Sequence, residues 1–140
     1  MLSAILNRVS SKRQREALVR NLVSAVSRMD YSEIDKYLTE DFRFSDATGR
    51  SIVGRDRYIE EDRKFREAAG CPATIIDSLD HNRGEVLLRG HLESDVAEIA
   101  GPTMWRLFFR DGRISSAEVT RSFAQMTLPQ YVSRQGGISA

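Results

Sequence analysis

The chain has 140 residues, of which 41% are hydrophobic and 29% charged, a composition typical of one folded domain and unlike that of disordered or membrane-spanning proteins. Its 21 lysines and arginines nearly balance its 20 aspartates and glutamates, for a net charge of +1, so no overall field predicts binding to nucleic acid. The single cysteine, Cys71, excludes an intrachain disulfide and a cysteine-based zinc site.

The first residues are typical of neither a membrane anchor nor a secretory signal. An apolar helical face is formed by Leu2, Ile5, Leu6 and Val9. The segment is too short to span a bilayer, and it lacks the charged start and cleavage site of a signal sequence. We expect residues 1–13 to be an N-terminal extension with helical periodicity that docks on the fold or on a second subunit. We also expect a cytoplasmic location.

Three helices are predicted in the first half of the chain. Ser11 followed by Gln14 matches a capping box and starts the first helix. A second, shorter helix is predicted over residues 30–37, and a third over Arg55 to Ala69, where Gly70 ends it. The first helix carries an apolar stripe at helical spacing, formed by Leu18, Leu22, Ala25, Val26 and Met29.

The strand between the second and third helices carries the most informative residues. Phe42, Phe44 and Asp46 alternate along it, so a β-strand sends all three side chains to one face. A turn at Thr48-Gly49-Arg50 follows. A carboxylate on the apolar side of a strand is costly unless it lines a cavity or finds a partner. Asp46 is therefore the first candidate for chemistry.

After Pro72 the hydrophobic period becomes that of strands. Turn residues separate four predicted strands, which cover residues 73–79, 85–93, 104–110 and 113–123. Alternation predicts that Ala117 and Val119 face the core and that His91 faces away from it. Helices first and strands afterwards predict an α+β fold, with the helices on one face of a mostly antiparallel sheet.

Residues 124–140 are predicted to form a C-terminal tail, because they are polar and contain two consecutive glycines. Three apolar side chains within this tail can dock as a last turn on the domain: Leu128, Tyr131 and Val132.

Several segments together resemble the nuclear transport factor 2-like superfamily, and within it the SnoaL-like group of polyketide cyclases. Besides the apolar first helix, they are Tyr37-Leu38-Thr39-Glu40-Asp41, Phe42-Arg43-Phe44-Ser45-Asp46, Ile52-Val53-Gly54 and Phe108-Phe109-Arg110-Asp111-Gly112-Arg113-Ile114. The likeness covers residues 14–123. It implies a cone, in which three main helices lie on the concave side of a strongly curved sheet, with a pocket at the open end. It also implies a homodimer through the outer sheet face.

The same resemblance implies a role for Asp46. In the steroid isomerases of this superfamily, the catalytic base is an aspartate on the strand after the second helix, which is the position of Asp46. The tyrosine and the protonated aspartate that hold the oxyanion in those enzymes fall here on Leu22 and Trp105. We therefore do not expect steroid isomerase activity.

Two interpretations of Asp46 follow from its neighbours. Beside Phe42 and Phe44 the carboxylate loses hydration, which predicts a raised pKa and a base able to take a proton next to a carbonyl. Alternatively, Asp46 caps the following turn through Thr48 and Gly49, as aspartate commonly does.

Further residues are expected to line a ligand site. Asp62 interrupts the apolar face of the third helix, either as a second acid in the pocket or as an ion-pair partner of Arg121. His91 would face the pocket only if the register of its strand shifted by one residue. The aromatic members of the wall are more often core than binding surface at such spacing. The predicted ligand-binding residues are Phe44, Tyr58, Asp62, Leu88, Trp105, Leu107, Val119 and Arg121.

Two functions stay open at this point. The first is an isomerase, dehydratase or cyclase that uses Asp46 for proton transfer on a small apolar organic molecule. The second is a non-catalytic module that binds a ligand or dimerises; the lack of a recognisable oxyanion donor favours it. We expect no metal or other cofactor and no nucleic-acid or membrane partner.

Overall fold

A computed structural model describes residues 11–122 and 125–134. The helical N-terminal segment predicted within residues 1–10, and the end of the last predicted strand at Phe123, lie outside the described residues. The described elements, in chain order, are α1 (Lys12–Ser27), α2 (Tyr31–Ile34), β1 (Leu38–Asp46), β2 (Ser51–Val53), α3 (Arg55–Ala68), β3 (Ala73–Asn82), β4 (Glu85–Glu93), β5 (Gly101–Arg110), β6 (Arg113–Arg121) and α4 (Leu128–Arg134).

The six strands form one sheet in the order β2-β1-β6-β5-β4-β3. β1 and β6 run parallel, and every other neighbouring pair is antiparallel. The predicted turns after β3 and β5 are present, with left-handed backbone at Arg83, Gly84, Asp111 and Gly112, as two-residue hairpin turns require. The predicted α+β class, with a curved, mostly antiparallel sheet and three main helices, is confirmed.

The predicted capping box starts α1. The Ser11 hydroxyl accepts a hydrogen bond from the Gln14 backbone at 3.1 Å, and the Gln14 side chain accepts one from the Ser11 backbone at 2.8 Å. Two backbone N–H groups at the start of the helix, which have no partner within it, thereby gain hydrogen-bond acceptors. The apolar face of α1 packs beside β3, and its buried residues are Val19, Leu22, Val23, Ala25 and Val26. No helix within residues 11–122 and 125–134 is long and apolar enough to cross a bilayer.

The sheet bends where β4 passes β3. The strand register shifts between Ile76 and Ser78, and Gly90 lies opposite Ile76. A Cβ on Gly90 would lie 2.1 Å from the carbonyl oxygen of Ile75, which is closer than atoms can approach. Only glycine therefore lets the two strands meet this closely, and the bulge curves the sheet around its inner face.

The inward face predicted for β1 is confirmed. Phe42, Phe44 and Asp46 are all buried. Tyr58 of α3 meets the rings of Phe42 and Phe44 edge to face, at centroid distances of 5.0 and 5.3 Å. Trp105 of β5 meets Phe44 in the same way at 5.8 Å. This aromatic cluster joins the helices to both halves of the sheet, so it forms the centre of the core.

The segment predicted as a C-terminal tail contains a docked helix, α4. The predicted docking of Leu128 and Val132 is confirmed, because both side chains are buried. Tyr131 packs edge to face against Phe65 of α3, with the ring centroids 5.2 Å apart. Together with the residues just before it, α4 covers the open end of the curved sheet.

Candidate functional site

A small cavity of about 30 Å³ lies between the inner face of the sheet, α3 and the segment that leads into α4. It has room for about two water molecules and not for an organic ligand. Its walls are mostly apolar, but three charged side chains and two threonines interrupt them. The lining residues are Phe44, Asp62, Phe65, Arg66, Leu92, Thr103, Trp105, Val119, Arg121, Met126, Thr127 and Leu128.

The structure brings part of the predicted ligand set together at this cavity, namely Phe44, Asp62, Trp105, Val119 and Arg121. Tyr58, Leu88 and Leu107 are buried in the core and do not line the cavity. They share strand faces or a helix face with the lining residues, so alternation alone does not separate cavity wall from filled core.

Other lining residues were missed from the sequence. Arg66 follows Asp62 at the helical spacing of four, which was an available signal for a pair. Thr103 alternates with Trp105 on β5 and so shares its inward face. Met126 and Thr127 precede α4 and reach the cavity only because that helix docks, which no local pattern indicates.

Asp46 caps its turn, as the second interpretation predicted. Its Oδ1 accepts hydrogen bonds from the Thr48 backbone at 2.9 Å, from the Thr48 hydroxyl at 2.7 Å and from the Arg50 backbone at 3.1 Å. Its Oδ2 accepts one from the Thr127 hydroxyl at 3.1 Å and lies 3.5 Å from the Arg50 guanidinium. The carboxylate is therefore held by the fold, and it is absent from the residues that line the cavity.

These contacts reverse the predicted pKa shift of Asp46. Burial raises the pKa, but the hydrogen bonds from Thr48, Arg50 and Thr127 outweigh it and hold the pKa below its usual value of 3.8. The expectation of a raised pKa was wrong because donors arranged by the turn stabilise the charged form. A carboxylate with a lowered pKa is a weak base near neutral pH.

Asp62 pairs with Arg66 and not with Arg121, so the predicted Asp62–Arg121 pair was wrong. The Arg66 Nε lies 3.0 Å from Asp62 Oδ2, and both side chains are 4% exposed. Four residues apart on α3, the two groups meet without any tertiary movement. The Tyr31 hydroxyl donates to the same carboxylate oxygen at 2.8 Å, and burial together with Asp62 raises the pKa of Tyr31.

Arg121 is half-buried at the end of β6 and contacts backbone carbonyls. Its Nη1 donates to Met126 at 2.9 Å, and its Nη2 donates to Ile99 and, at 3.2 Å, to Gly101. Burial lowers the pKa of the guanidinium to about 10. It therefore stays charged at neutral pH, in a position that ties the β4–β5 connection to the segment before α4.

Thr103 lines the cavity and has a buried hydroxyl. The residue is 4% exposed, and its Oγ1 finds no hydrogen-bond partner within the described part of the chain. A buried hydroxyl without a partner costs about 1–3 kcal/mol. Thr103 lies directly opposite Arg121 in the β5–β6 pairing, so the unpaired hydroxyl and the guanidinium are cross-strand neighbours.

An open apolar groove of about 170 Å³ lies on the other side of Phe65 and Met126. These two side chains line both the groove and the cavity. The remaining groove residues come from the end of α3, the β4–β5 connection and α4, and they are Ala68, Ala69, Val96, Glu98, Ile99 and Tyr131. The groove and the cavity are thus adjacent, with Phe65 and Met126 in the walls of both.

The histidines lie away from this site. His91 is on the outer side of β4, where its Nδ1 lies 3.1 Å from Asp77 Oδ2. His81 Nε2 lies 3.0 Å from Glu16 Oε1 and connects β3 to α1. The outward orientation predicted for His91 is confirmed, and its ring is not available to a group in the cavity.

A family model for the SnoaL-like domain matches residues 19–117, which include most of the strands and helices that form the cavity. The chain belongs to the SnoaL-like family. A search of curated proteins found no match. Leu22 and Trp105 are both buried in this SnoaL-like domain, and their match to the oxyanion positions of the steroid isomerases stays a prediction.

Solved structures with the same fold share little sequence with this SnoaL-like domain. A nuclear transport factor 2-like protein from Cytophaga hutchinsonii is 18% identical, with a TM-score of 0.64 over 79% of this chain and 90% of its own. A candidate polyketide cyclase from Sinorhizobium meliloti is 16% identical, with a TM-score of 0.67 over 74% and 93%. A protein from Catenulispora acidiphila with a ketosteroid isomerase-like fold, in complex with trimethylamine, is 15% identical, with a TM-score of 0.66 over 76% and 85%. At these sequence identities, the similarity shows a shared fold alone.

Proposed function

We propose that this SnoaL-like domain binds a small, largely apolar organic molecule, for which the cavity and the groove are the two halves of one site. One observation carries the proposal: a cavity lined by a threonine with an unpaired buried hydroxyl shares two lining side chains, Phe65 and Met126, with an open apolar groove. A ligand that displaces the Met126 side chain joins the two spaces.

The volumes support this arrangement. The cavity alone, at about 30 Å³, has room only for water, whereas the groove offers about 170 Å³. Joined, they give about 200 Å³, which is below the ~300–1,000 Å³ typical of drug-sized ligands and so suits a small one. Methionine is unbranched and flexible, so the Met126 side chain can move at low energetic cost. The site is therefore closed when empty and opens by a side-chain movement.

The chemistry of the walls also suits a ligand of this class. Phe44, Trp105 and Val119 supply apolar surface inside the cavity, and Thr103 and Arg121 supply the polar contacts. Mostly apolar walls with a few polar groups in fixed positions are typical of small-molecule sites. The related fold from Catenulispora acidiphila was solved with trimethylamine, which supports small-molecule binding as a use of this architecture.

Catalysis by Asp46 stays a prediction from the sequence, and we favour binding without catalysis. The Asp46 carboxylate accepts three hydrogen bonds within its own turn and one from Thr127, and its pKa is lowered. A proton-transfer base would have to give up some of these bonds before it reached a substrate. Turnover of an enolisable carbonyl compound that disappears in Asp46→Asn would reverse our preference.

Dimerisation through the outer sheet face is a separate proposal. The outward side chains of Leu87, Met104 and Phe108 are apolar and half-buried there. A second copy of the chain would cover them and remove apolar surface from water. Sedimentation velocity at micromolar concentration should show a dimer that Met104→Glu dissociates, and a monomeric wild type would refute the proposal.

Binding is testable with Trp105, the only tryptophan of the chain, as an internal reporter in the cavity wall. Cyclohexanol, cyclohexylacetamide and cyclohexylacetate are suitable probes because none of them absorbs where tryptophan is excited. We expect a saturable change in fluorescence with at least one probe, at a dissociation constant of about 1 mM or lower. No saturable change with any of the three, at concentrations tenfold higher, would refute the proposal.

A pair of variants on adjacent positions of α3 tests the location of the site. Ala68→Leu fills the groove and should weaken cyclohexanol binding about tenfold or more, since added side-chain volume excludes the ligand. Glu67→Leu introduces the same side chain at a neighbouring exposed position that does not line the groove. Equal affinities of the two variants would place the ligand elsewhere.

A further inference from the structure

The charges around the cavity are not balanced. Asp62 and Arg66 compensate each other through their buried ion pair. Arg121, the third charged group of the lining, forms no ion pair within residues 11–122 and 125–134, and its partners are backbone carbonyls. One positive charge at this wall therefore lacks a counter-charge, although a half-buried cation is stabilised by one.

The position of Arg121 relates it to both halves of the site. Arg121 lines the cavity, while two of the carbonyls that its guanidinium contacts, those of Ile99 and Met126, belong to residues that line the groove. The group thus lies at the boundary that a ligand must cross. The Met126 side chain can rotate away while its backbone carbonyl keeps its hydrogen bond with Nη1 of Arg121.

Arg121 has donor capacity beyond its present contacts. A guanidinium carries five N–H groups, and four hydrogen bonds to carbonyls are formed by Nε, Nη1 and Nη2. One N–H of Nη1 is without an acceptor in the described part of the molecule.

Thr103 supplies a second donor at the same place. The side chains of directly opposed residues on antiparallel strands lie about 4.5–5.5 Å apart at Cβ, and Thr103 is opposed to Arg121. The Thr103 hydroxyl is buried and unpaired, so it requires a partner that the described protein does not provide. A group with two acceptor atoms and a negative charge would satisfy both side chains.

We infer that the ligand is an apolar carboxylic acid whose carboxylate is held by Arg121 and the Thr103 hydroxyl, with its apolar body in the groove. This inference rests on the proposed function and names its ligand class. A carboxylate compensates the charge of Arg121 and accepts from both donors in a charge-assisted contact. An amide or alcohol of the same shape supplies acceptors without the charge and binds more weakly.

Cyclohexylacetate and cyclohexylacetamide are a matched pair of probes, because they differ at the head group and share the apolar body. Calorimetry and Trp105 fluorescence at neutral pH should show the acid binding about 10- to 100-fold more tightly than the amide, as expected for a hydrogen bond to a charged group. Equal affinities, or tighter binding of the amide, would overturn the carboxylate inference and leave the proposed function intact. Binding of neither probe nor of cyclohexanol would overturn both.

Variants assign the effect to the two side chains. Arg121→Gln should abolish the preference for the acid, Arg121→Lys should keep part of it, and Arg106→Gln on the outer face of β5 should leave it unchanged. Thr103→Val has nearly the same shape as threonine and should weaken acid binding about 5- to 10-fold without unfolding the domain. If Arg121→Gln does not fold, the Thr103→Val result decides: unchanged acid affinity would overturn the inference.

Discussion

Two strand ends hold the same short segment of the chain in opposite ways. At the end of β1, Asp46 accepts a hydrogen bond from the Thr127 hydroxyl, and at the end of β6, Arg121 donates to the Met126 carbonyl. The two strands are paired, with Asp46 opposite Val119. Even so, the carboxylate and the guanidinium form no ion pair with each other among the described contacts. Arg121 lies two residues beyond Val119 on β6, and yet Asp46 and Arg121 each contact other groups.

The difference lies in what surrounds each group. Asp46 is followed by a turn in which Thr48 and Arg50 donate three hydrogen bonds to its Oδ1. The charge of Asp46 therefore stabilises the fold. Arg121 contacts backbone carbonyls, and among the residues that the structure describes its charge has no carboxylate partner. The donors of the turn thus give the Asp46 carboxylate a structural role, whereas the Arg121 guanidinium is available to a charged ligand.

Removing the Asp46 carboxylate should have the largest effect. Asp46→Ala leaves the donors of Thr48, Arg50 and Thr127 without their acceptor, and we expect a loss of about 2–4 kcal/mol in the free energy of unfolding. Urea denaturation measures this loss. Asp46→Asn is the control, because it keeps one acceptor oxygen and should lose less of the free energy of unfolding. A loss below about 1 kcal/mol for the alanine variant would show that the turn does not depend on this side chain.

Removing the charge of Arg121 should cost less. The carbonyls of Ile99 and Met126 can be reached by water or by the shorter amide, so Arg121→Gln should lower the free energy of unfolding by about 1–2 kcal/mol. Arg106→Gln removes an exposed arginine from the neighbouring strand and should change it by less than about 0.5 kcal/mol. Equal losses in the two variants would mean that the carbonyl contacts of Arg121 do not stabilise the domain.

The pH dependence of stability distinguishes the effect of the Asp46 charge from the effect of its side-chain shape. Because the folded pKa is held below 3.8, the ionised carboxylate stabilises the fold at pH values above 3.8, and this contribution is lost as the pH falls through the folded pKa. The stability difference between wild type and Asp46→Asn should be constant from pH 7 to about pH 5 and shrink below pH 4. A difference that grows on acidification would contradict the lowered pKa.

Thr103→Val should produce the smallest change and one of opposite sign. It removes a buried hydroxyl that has no partner, so the free energy of unfolding should stay unchanged or rise by up to about 1 kcal/mol. Thr120→Val on the exposed face of β6 is the matched control. A clear loss of stability in Thr103→Val alone would show that the hydroxyl is satisfied in the empty protein, for example by a bound water.

Much of the fold could be predicted from local patterns. The alternation of Phe42, Phe44 and Asp46 defined the inward face of β1, and the Ser11–Gln14 capping box defined the start of α1. Both signals act over a few residues, and strand or helix geometry alone determines their outcome. The turn after Asp46 was also visible, and taking its donors into account would have given the correct direction of the pKa shift.

The closing of the site could not be predicted in the same way. Met126, Thr127 and Leu128 belong to a segment with the composition of a tail, and they line the cavity only because α4 docks against α3 and β1. By contrast, the pairing of Asp62 with Arg66 was predictable, because the two residues are four apart on α3. The closing of the cavity therefore depends on contacts between segments that are distant in the sequence.

The parallel pairing of β1 with β6 has a consequence for how the chain reaches this structure. β1 is made early and β6 last among the strands, and between them lie all the residues of β2 to β5. Until β6 is synthesised, β1 has only the short hairpin partner β2, and such a two-stranded unit is marginal in water. The domain can therefore complete its sheet only after β6 has been synthesised, and its many contacts between distant residues predict slower folding than that of a helical bundle of the same length.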